Sequence, residues 1–311
     1  MPGPYAHITL LYELMQPRRL ELLFTAESGF RAALETCFPY CVLGAVSPDY
    51  PNLICGNDNA SQWAEAMHCV NACEMIVSGV KRVRGAKGTT RYKQLAWLLG
   101  YCAHVATDVT IHPVVQAKVG VYAENQRQHR ICEMNQDSYI YRRMNLGEIG
   151  ESDRFAMTVV RCGNPDDITR LDKYIITLWQ GMLADVHAEM CIMNPPDINS
   201  WHREFNTAVA GCSSRPFRLF PLANAISTKM GLAYPTYFEA DRQFIEDQAL
   251  PLESPIYLHY DEIFDHAVCN VSDMWRKVEQ MLMAEDPVCG SAFGDWNLDN
   301  GRDEHGRLVF W

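Results

Sequence analysis

One stretch of the chain carries imidazole and carboxylate side chains at helical spacing. In LGYCAHVATDVTIHP, His104, Asp108 and His112 stand at i, i+4 and i+8. Side chains four residues apart lie about 6 Å apart along a helix axis and can hold one metal ion together, whereas those eight apart are separated by about 12 Å. The spacing therefore predicts two metal ions, one near His104 and one near His112. Asp108 lies between them and can bridge with its two oxygens.

A second pair repeats this spacing further along the chain. In HRICEMNQD, His129 and Glu133 are four residues apart, and Asp137 follows one turn later. With His112, this pair makes a set of two nitrogens and one carboxylate that leaves a position open for water, as catalytic zinc sites do. Asp137 is interpreted either as a carboxylate that holds a ligand histidine or as a solvated helix position.

Three further polar residues occupy positions that packing does not explain. They are His68 within AEAMHCVNA, Asp49 in the turn GAVSPDYP and His7 in the apolar start PYAHITLL. Each one alone is more often a satisfied core or surface group. Because the chain also carries two chelating pairs, it is a poor explanation that all three are ordinary core or surface groups, and a metal cluster is favoured.

The ordered set of eight ligand-type residues resembles the bacterial zinc-dependent phospholipase C family, whose fold fungal zinc-dependent single-strand nucleases share. The resemblance covers residues 7–137 and rests on the two His-x-x-x-acid pairs, the histidine between them, SPDYP and the mid-helix histidine. It implies the following ligand sets: His68, His104 and Asp108 for a first zinc ion, with Asp49 beside it as a ligand or as the base that orients water; His112, His129 and Glu133 for a second; and His7 and Asp108, with the terminal amine, for a third.

Two features depart from that family pattern. Secreted members expose an N-terminal Trp that chelates the third ion, whereas this chain begins Met1-Pro2-Gly3 and has six residues before His7. The gap between Asp108 and His112 is also shorter. The resemblance thus implies two or three zinc ions per chain, although His with carboxylate also suits manganese, iron or cobalt.

The implied activity is hydrolysis of a phospholipid on the glycerol side of the phosphodiester, which leaves diacylglycerol and a phosphorylated head group. The alternatives are a zinc-dependent nuclease or nucleotidase and a metal-binding interaction protein without turnover. A net charge of −11 and the lack of a basic groove near the ligands argue against nucleic acid. The basic loop Lys81–Lys93 is expected to be solvated, about 20 Å from the metals. We expect a phospholipid substrate and transient contact with a membrane surface.

The elements that must position these residues are helices. The hydrophobic period predicts an all-α multi-helix bundle, a single domain over residues 1–311, with the ligands in 7–137 and the C-terminal half completing the bundle and the substrate pocket. The predicted helices include 61–80, 90–113, 126–144, 167–190, 198–210 and 261–285. The irregular apolar stretch 219–238 is interpreted as a lid or as a loop packed on the bundle.

Composition bounds the class of protein. Hydrophobic residues make up 48% and charged residues 21%, as in a soluble globular chain. No run of 18 apolar residues predicts a membrane span, and the start lacks the features of a secretory signal. We therefore expect a protein that is cytoplasmic as synthesised, with a different export route left open. Its twelve cysteines are expected to be reduced.

Overall fold

The computed structural model describes residues 2–53, 58–149, 158–212, 232, 234–254, 256–284 and 293–311. Within them the chain is mainly helical, which confirms the predicted all-α class. The α-helices are α1 (Pro4–Leu14), α2 (Pro17–Leu23), α3 (Gly29–Gly44), α4 (Asp58–Cys69), α5 (Ala72–Gly85), α6 (Gly88–Val119), α7 (Tyr122–Tyr141), α8 (Lys173–Val186), α9 (Ala188–Met193), α10 (Ile198–Cys212) and α11 (Tyr260–Met283).

Short elements connect these helices. The 3₁₀ turns are Ser47–Leu53, Arg142–Met144, Tyr237–Glu239 and Arg242–Phe244. Two antiparallel pairs of strands occur in the described residues: β1 (Gly163–Asn164) with β2 (Asp167–Leu171), and β3 (Gln248–Ala249) with β4 (Tyr257–Leu258). No helix in the described part of the chain has the length and hydrophobicity needed to cross a membrane.

Helix α6 is the central helix of the bundle. Every residue from Gln94 to Val115 is buried, so this helix is enclosed on all sides and packs against α3, α11, α5 and α7. Where α3 crosses α6, Gly44 and Gly100 let the two backbones touch. A Cβ on Gly44 would overlap the carbonyl of Trp97, and one on Gly100 would overlap that of Cys41. The end of α3 therefore lies directly against the metal-ligand segment of α6.

Two predicted helix boundaries are wrong. The predicted helix 61–80 is two helices, because Asn71 adopts a left-handed backbone conformation with φ 54° between α4 and α5. Pro113 was expected to end the helix, yet α6 continues to Val119. Proline removes one helical hydrogen bond, but Val114 and Val115 beyond it are buried in the core, and this packing outweighs the loss.

The predicted helix 167–190 is also corrected. Residues Asp167–Leu171 form β2, and α8 begins only after Asp172, whose carboxylate accepts a hydrogen bond from the Tyr174 N–H as a helix cap. Most of the stretch 219–238, predicted to be a lid or packed loop, lies outside the described residues, as does Glu285 at the end of the last predicted helix.

The C-terminal segment Phe293–Trp311 packs against α6. The indole N–H of Trp311 donates to the carbonyl of Thr110 at 2.7 Å. Gly301 has φ 66°, a conformation that favours glycine, and a Cβ there would overlap Pro113. This segment therefore lies beside the part of α6 between Asp108 and Pro113.

Candidate metal centre

Five elements of the fold bring the eight predicted ligands together. Helix α1 carries His7, the 3₁₀ turn after α3 carries Asp49, and the end of α4 carries His68. The remaining five are His104, Asp108 and His112 on α6 and His129 and Glu133 on α7. All eight residues are buried, none more than 6% exposed.

The side chains form three groups, and within each group the potential ligand atoms lie within 4.8 Å of one another. The groups are Asp49, His68 and His104; His7, His104 and Asp108; and His112, His129 and Glu133. The last set is the one that the sequence predicts for a second ion. The first differs from the predicted set because it contains Asp49, predicted as a ligand or as the base, and does not contain Asp108.

Asp108 lies between the first two groups. Its Oδ1 is 3.2 Å from Nε2 of His7, while its Oδ2 is 3.4 Å from Nε2 of His104 and 3.7 Å from Nε2 of His68. The two oxygens thus face different histidines, as in a bridging carboxylate. Helical spacing alone predicts that Asp108 bridges an ion near His104 and an ion near His112. In the described residues, however, the ligand group that contains His112 does not include Asp108.

Three histidines are oriented by backbone carbonyls through Nδ1. The pairs are His68 with Ala64 at 2.6 Å, His104 with Ala45 at 2.9 Å and His112 with Leu298 at 2.8 Å. A neutral imidazole that donates its Nδ1–H keeps the lone pair on Nε2 for a metal. The backbone thereby selects the ligand atom in each ring.

His129 is held in the opposite orientation. Its Nε2 lies 2.6 Å from the carbonyl of Gly120, at the end of α6, and its Nδ1 lies 3.9 Å from Oε1 of Glu133. The ligand atom of His129 is therefore Nδ1. The contact also ties the end of α6 to the ligand face of α7.

The buried ligand atoms that lack a hydrogen-bond partner match a metal site. In the described part of the chain, Oδ1 of Asp49, both oxygens of Asp108, Nε2 of His112 and Nδ1 of His129 are buried without a hydrogen-bond partner. Buried polar atoms are nearly always satisfied, so converging unsatisfied acceptors call for a bound group. Nitrogen and carboxylate donors at these positions fit zinc.

The charges of the cluster favour cations. Burial raises the pKa of Asp49 and of Asp108, but contact with histidines outweighs it and leaves both pKa values below the usual range. Burial lowers the pKa of His68, whereas contact with Asp49 and the charges of Asp49 and Asp108 raise it to about 9, so a metal ion has to displace a proton from this ring when it binds. The two carboxylates are therefore ionised, and a buried anionic cluster of this kind is stabilised by divalent ions.

Asp137 has a role that neither sequence interpretation included. Its carboxylate accepts hydrogen bonds from the N–H of Ala6 at 2.8 Å, from the N–H of Tyr5 at 3.3 Å and from the hydroxyl of Tyr234 at 2.9 Å. Burial raises the pKa of Asp137 to about 7, against these hydrogen bonds. Asp137 is neither solvated nor bonded to a ligand histidine in the described residues; it holds the first turn of α1, which carries His7.

Two features of the centre were missed by the sequence analysis. The first is the backbone of Leu298, whose carbonyl orients His112 and whose N–H donates to the carbonyl of His68 at 2.8 Å. No side-chain pattern could reveal it. The second is Arg130, buried beside Glu133. Arg130 directly follows the candidate ligand His129 in the sequence, and this position was the signal that could have identified it.

Comparison with known proteins gives one match. A family model described as zinc dependent phospholipase C matches residues 6–189, a range that contains all eight candidate ligands. Neither a curated protein nor a solved structure matches the chain.

Proposed function

The chain belongs to the zinc-dependent phospholipase C family, and on that premise we propose that it hydrolyses a phospholipid at the glycerol side of its phosphodiester. The products are diacylglycerol and a phosphorylated head group. The observation that carries the proposal is the three buried groups of ligand atoms, with histidine rings oriented by backbone carbonyls. Zinc bound there lowers the pKa of water and neutralises charge on phosphoryl oxygens.

The first two ligand groups share His104, and its geometry decides how they divide. Because Nδ1 of His104 is taken by the carbonyl of Ala45, only Nε2 is left, and one nitrogen serves one ion. Since Nε2 of His104 lies 3.2 Å from Nε2 of His68 and Oδ2 of Asp108 faces both rings, we assign these three residues to the first ion with Asp49 beside it. His7 and Asp108 are left for a third ion.

Asp49 is the group that we assign to proton transfer. Its Oδ1 lies 3.5 Å from Nε2 of His68 and has no hydrogen-bond partner in the described residues. Because the pKa of Asp49 lies below its usual range, the carboxylate is in the form that accepts a proton. Asp49 thus orients the attacking water and receives its proton at Oδ1.

The choice of a lipid substrate rests on charge and on one exposed side chain. The chain carries a net charge of −11, which disfavours broad attraction to a nucleic acid backbone. Phe238 is 85% exposed, three residues after the carbonyl of Pro235 that accepts a hydrogen bond from Ser138 on α7. We assign this exposed aromatic ring, near the helix of the second ligand group, to transient contact with a lipid surface.

The test combines metal content and substrate choice. We expect two or three zinc ions per chain by inductively coupled plasma mass spectrometry, and release of a phosphorylated head group from phosphatidylcholine vesicles. Single-stranded oligonucleotides and nucleotides serve as the competing substrates. Hydrolysis of these alone overturns the lipid assignment, and zinc binding without any turnover favours the interaction protein. Failure to retain or take up zinc overturns the hydrolase itself.

A further inference from the structure

A buried arginine lies next to the second ligand group. Arg130 directly follows His129 on α7, and only 8% of it is exposed. Its Nη1 is 3.1 Å from Oε2 of Glu133, whereas its Nε has no hydrogen-bond partner in the described residues. An unsatisfied N–H on a buried cation is costly, so this side chain is built for more than its contact with Glu133.

The surroundings of Arg130 lie on the metal side of α7. Arg130 and Asp137 are seven residues apart and share a face of the helix, on which Tyr234 bonds to Asp137. A guanidinium stays charged in a protein, and this one contacts Glu133 of the second ligand group. Arg130 therefore places a fixed positive charge beside that group.

A cation in this position suits an anionic substrate. A guanidinium offers five donors in a planar fork that matches phosphoryl oxygens. Glu133 engages one of these donors. The basic segment Lys81–Lys93, predicted to be a loop, lies on the end of α5 and the start of α6. It does not supply this charge through Arg82 or Lys93, because Arg82 pairs with Asp185 and Lys93 with Asp172.

We propose that Arg130 binds a phosphoryl oxygen of the substrate beside the group of His112, His129 and Glu133. The inference rests on the proposed phosphodiester chemistry but not on the lipid. It makes Arg130 a substrate-binding residue that pairs its charge with the anionic phosphoryl group. One edge of the guanidinium holds Glu133 in place while the remaining donors bind the phosphate.

The competing explanation is that Arg130 only orients Glu133. The two roles separate when zinc content and anion binding are measured on the same zinc-loaded protein. The variants are Arg130→Met, Arg130→Lys and Arg130→Gln, and the control is Arg127→Met, an exposed position three residues earlier on α7. Inorganic phosphate is the probe, titrated by calorimetry and used as a competitive inhibitor.

We expect Arg130→Met to keep the zinc content of the unaltered protein and to weaken phosphate binding about tenfold to a hundredfold, the loss typical of hydrogen bonds to a charged group. Arg130→Lys recovers part of the affinity and Arg127→Met changes nothing. If circular dichroism shows that Arg130→Met does not fold, Arg130→Gln takes its place.

Two results would overturn the inference. If Arg130→Met or Arg130→Gln binds phosphate with unchanged affinity, Arg130 does not contact the anion. If every Arg130 variant loses one zinc ion, the role of the residue is to orient Glu133. Failure of the lipid proposal gives a different pattern. In that case the unaltered protein binds zinc and phosphate in an Arg130-dependent way, yet releases no head group from vesicles.

Discussion

Asp108 contributes two oxygens that face different histidines, with Oδ1 3.2 Å from His7 and Oδ2 3.4 Å from His104. An amide of the same shape offers one oxygen and no charge. We therefore expect Asp108→Asn to lose at least one zinc ion per chain and to lower activity by about a hundredfold or more. Mass spectrometry of the dialysed protein measures the ion count.

The control for this variant is Asp273→Asn on the exposed face of α11, where the side chain is 67% exposed. Equal zinc content in Asp108→Asn and in the control would remove Asp108 from the ligand sets. A bound metal would then no longer explain why His7 and His104 both face this carboxylate.

Asp49 is the residue for which a ligand role and a proton-transfer role compete. If Asp49 is the base, Asp49→Asn lowers kcat by about 10²- to 10⁴-fold, while the ion held by His68, His104 and Asp108 stays bound. Steady-state kinetics and zinc content, measured on the same preparation, separate the two roles. Asp58→Asn, at an exposed position at the start of α4, is the matched control.

Loss of zinc from Asp49→Asn in proportion to its loss of activity would make Asp49 an ordinary ligand. Retained activity would remove it from the reaction altogether.

At the scale of helices and turns, the local part of the site could be predicted from the sequence. His129 and Glu133 lie four residues apart on α7, and a helix brings them to one face whatever surrounds it. The continuation of α6 past Pro113 and the break at Asn71 could not be predicted, since distant packing decides both. The carbonyls of Ala45 and Leu298, which orient two histidines, carry no side-chain signal.

The C-terminal segment provides a test of that distant packing. Gly301 has φ 66°, and a Cβ there would overlap Pro113 and lie 2.6 Å from the carbonyl oxygen of Val109. Gly306 has φ 76° with nothing within 4 Å of such a Cβ. Both alanine variants carry the strain of a left-handed conformation, but only Gly301→Ala must also move the segment away from α6.

We expect Gly301→Ala to lower the free energy of unfolding by about 1–3 kcal/mol more than Gly306→Ala. It should also weaken the second zinc ion, because the carbonyl of Leu298 moves away from His112. Urea unfolding of chelator-treated protein measures the first effect and zinc competition with a chromophoric chelator the second. Equal behaviour of the two variants would show that the C-terminal segment does not position the metal centre.

For the whole molecule, the metal centre depends on segments that are far apart in the chain. The family match ends at residue 189, yet Leu298 bonds to both His68 and His112. The bundle therefore has to close around α6 before every histidine ring is oriented. A buried histidine also lies outside the ligand groups. His202 on α10 is fully buried beside Tyr50, the neighbour of Asp49.

His202 should make the stability of the fold depend on pH. Neither ring nitrogen has a hydrogen-bond partner in the described residues, and burial lowers the pKa of His202 to about 4. Since this folded pKa lies below the unfolded value of about 6.5, the unfolded chain binds more protons between the two, and stability is lost as the pH falls through that interval. The loss at pH 5 is about 2 kcal/mol relative to neutral pH.

Replacing the ring by one that cannot titrate removes this contribution. His202→Phe is expected to lose about 2 kcal/mol less than the unaltered protein between pH 7.5 and pH 5, measured by urea unfolding with chelator present in all samples. The exposed His305→Gln should follow the unaltered protein, because its side chain is 64% exposed. If all three proteins lose stability in parallel, His202 carries a proton in the folded state, and the acid sensitivity comes from other groups.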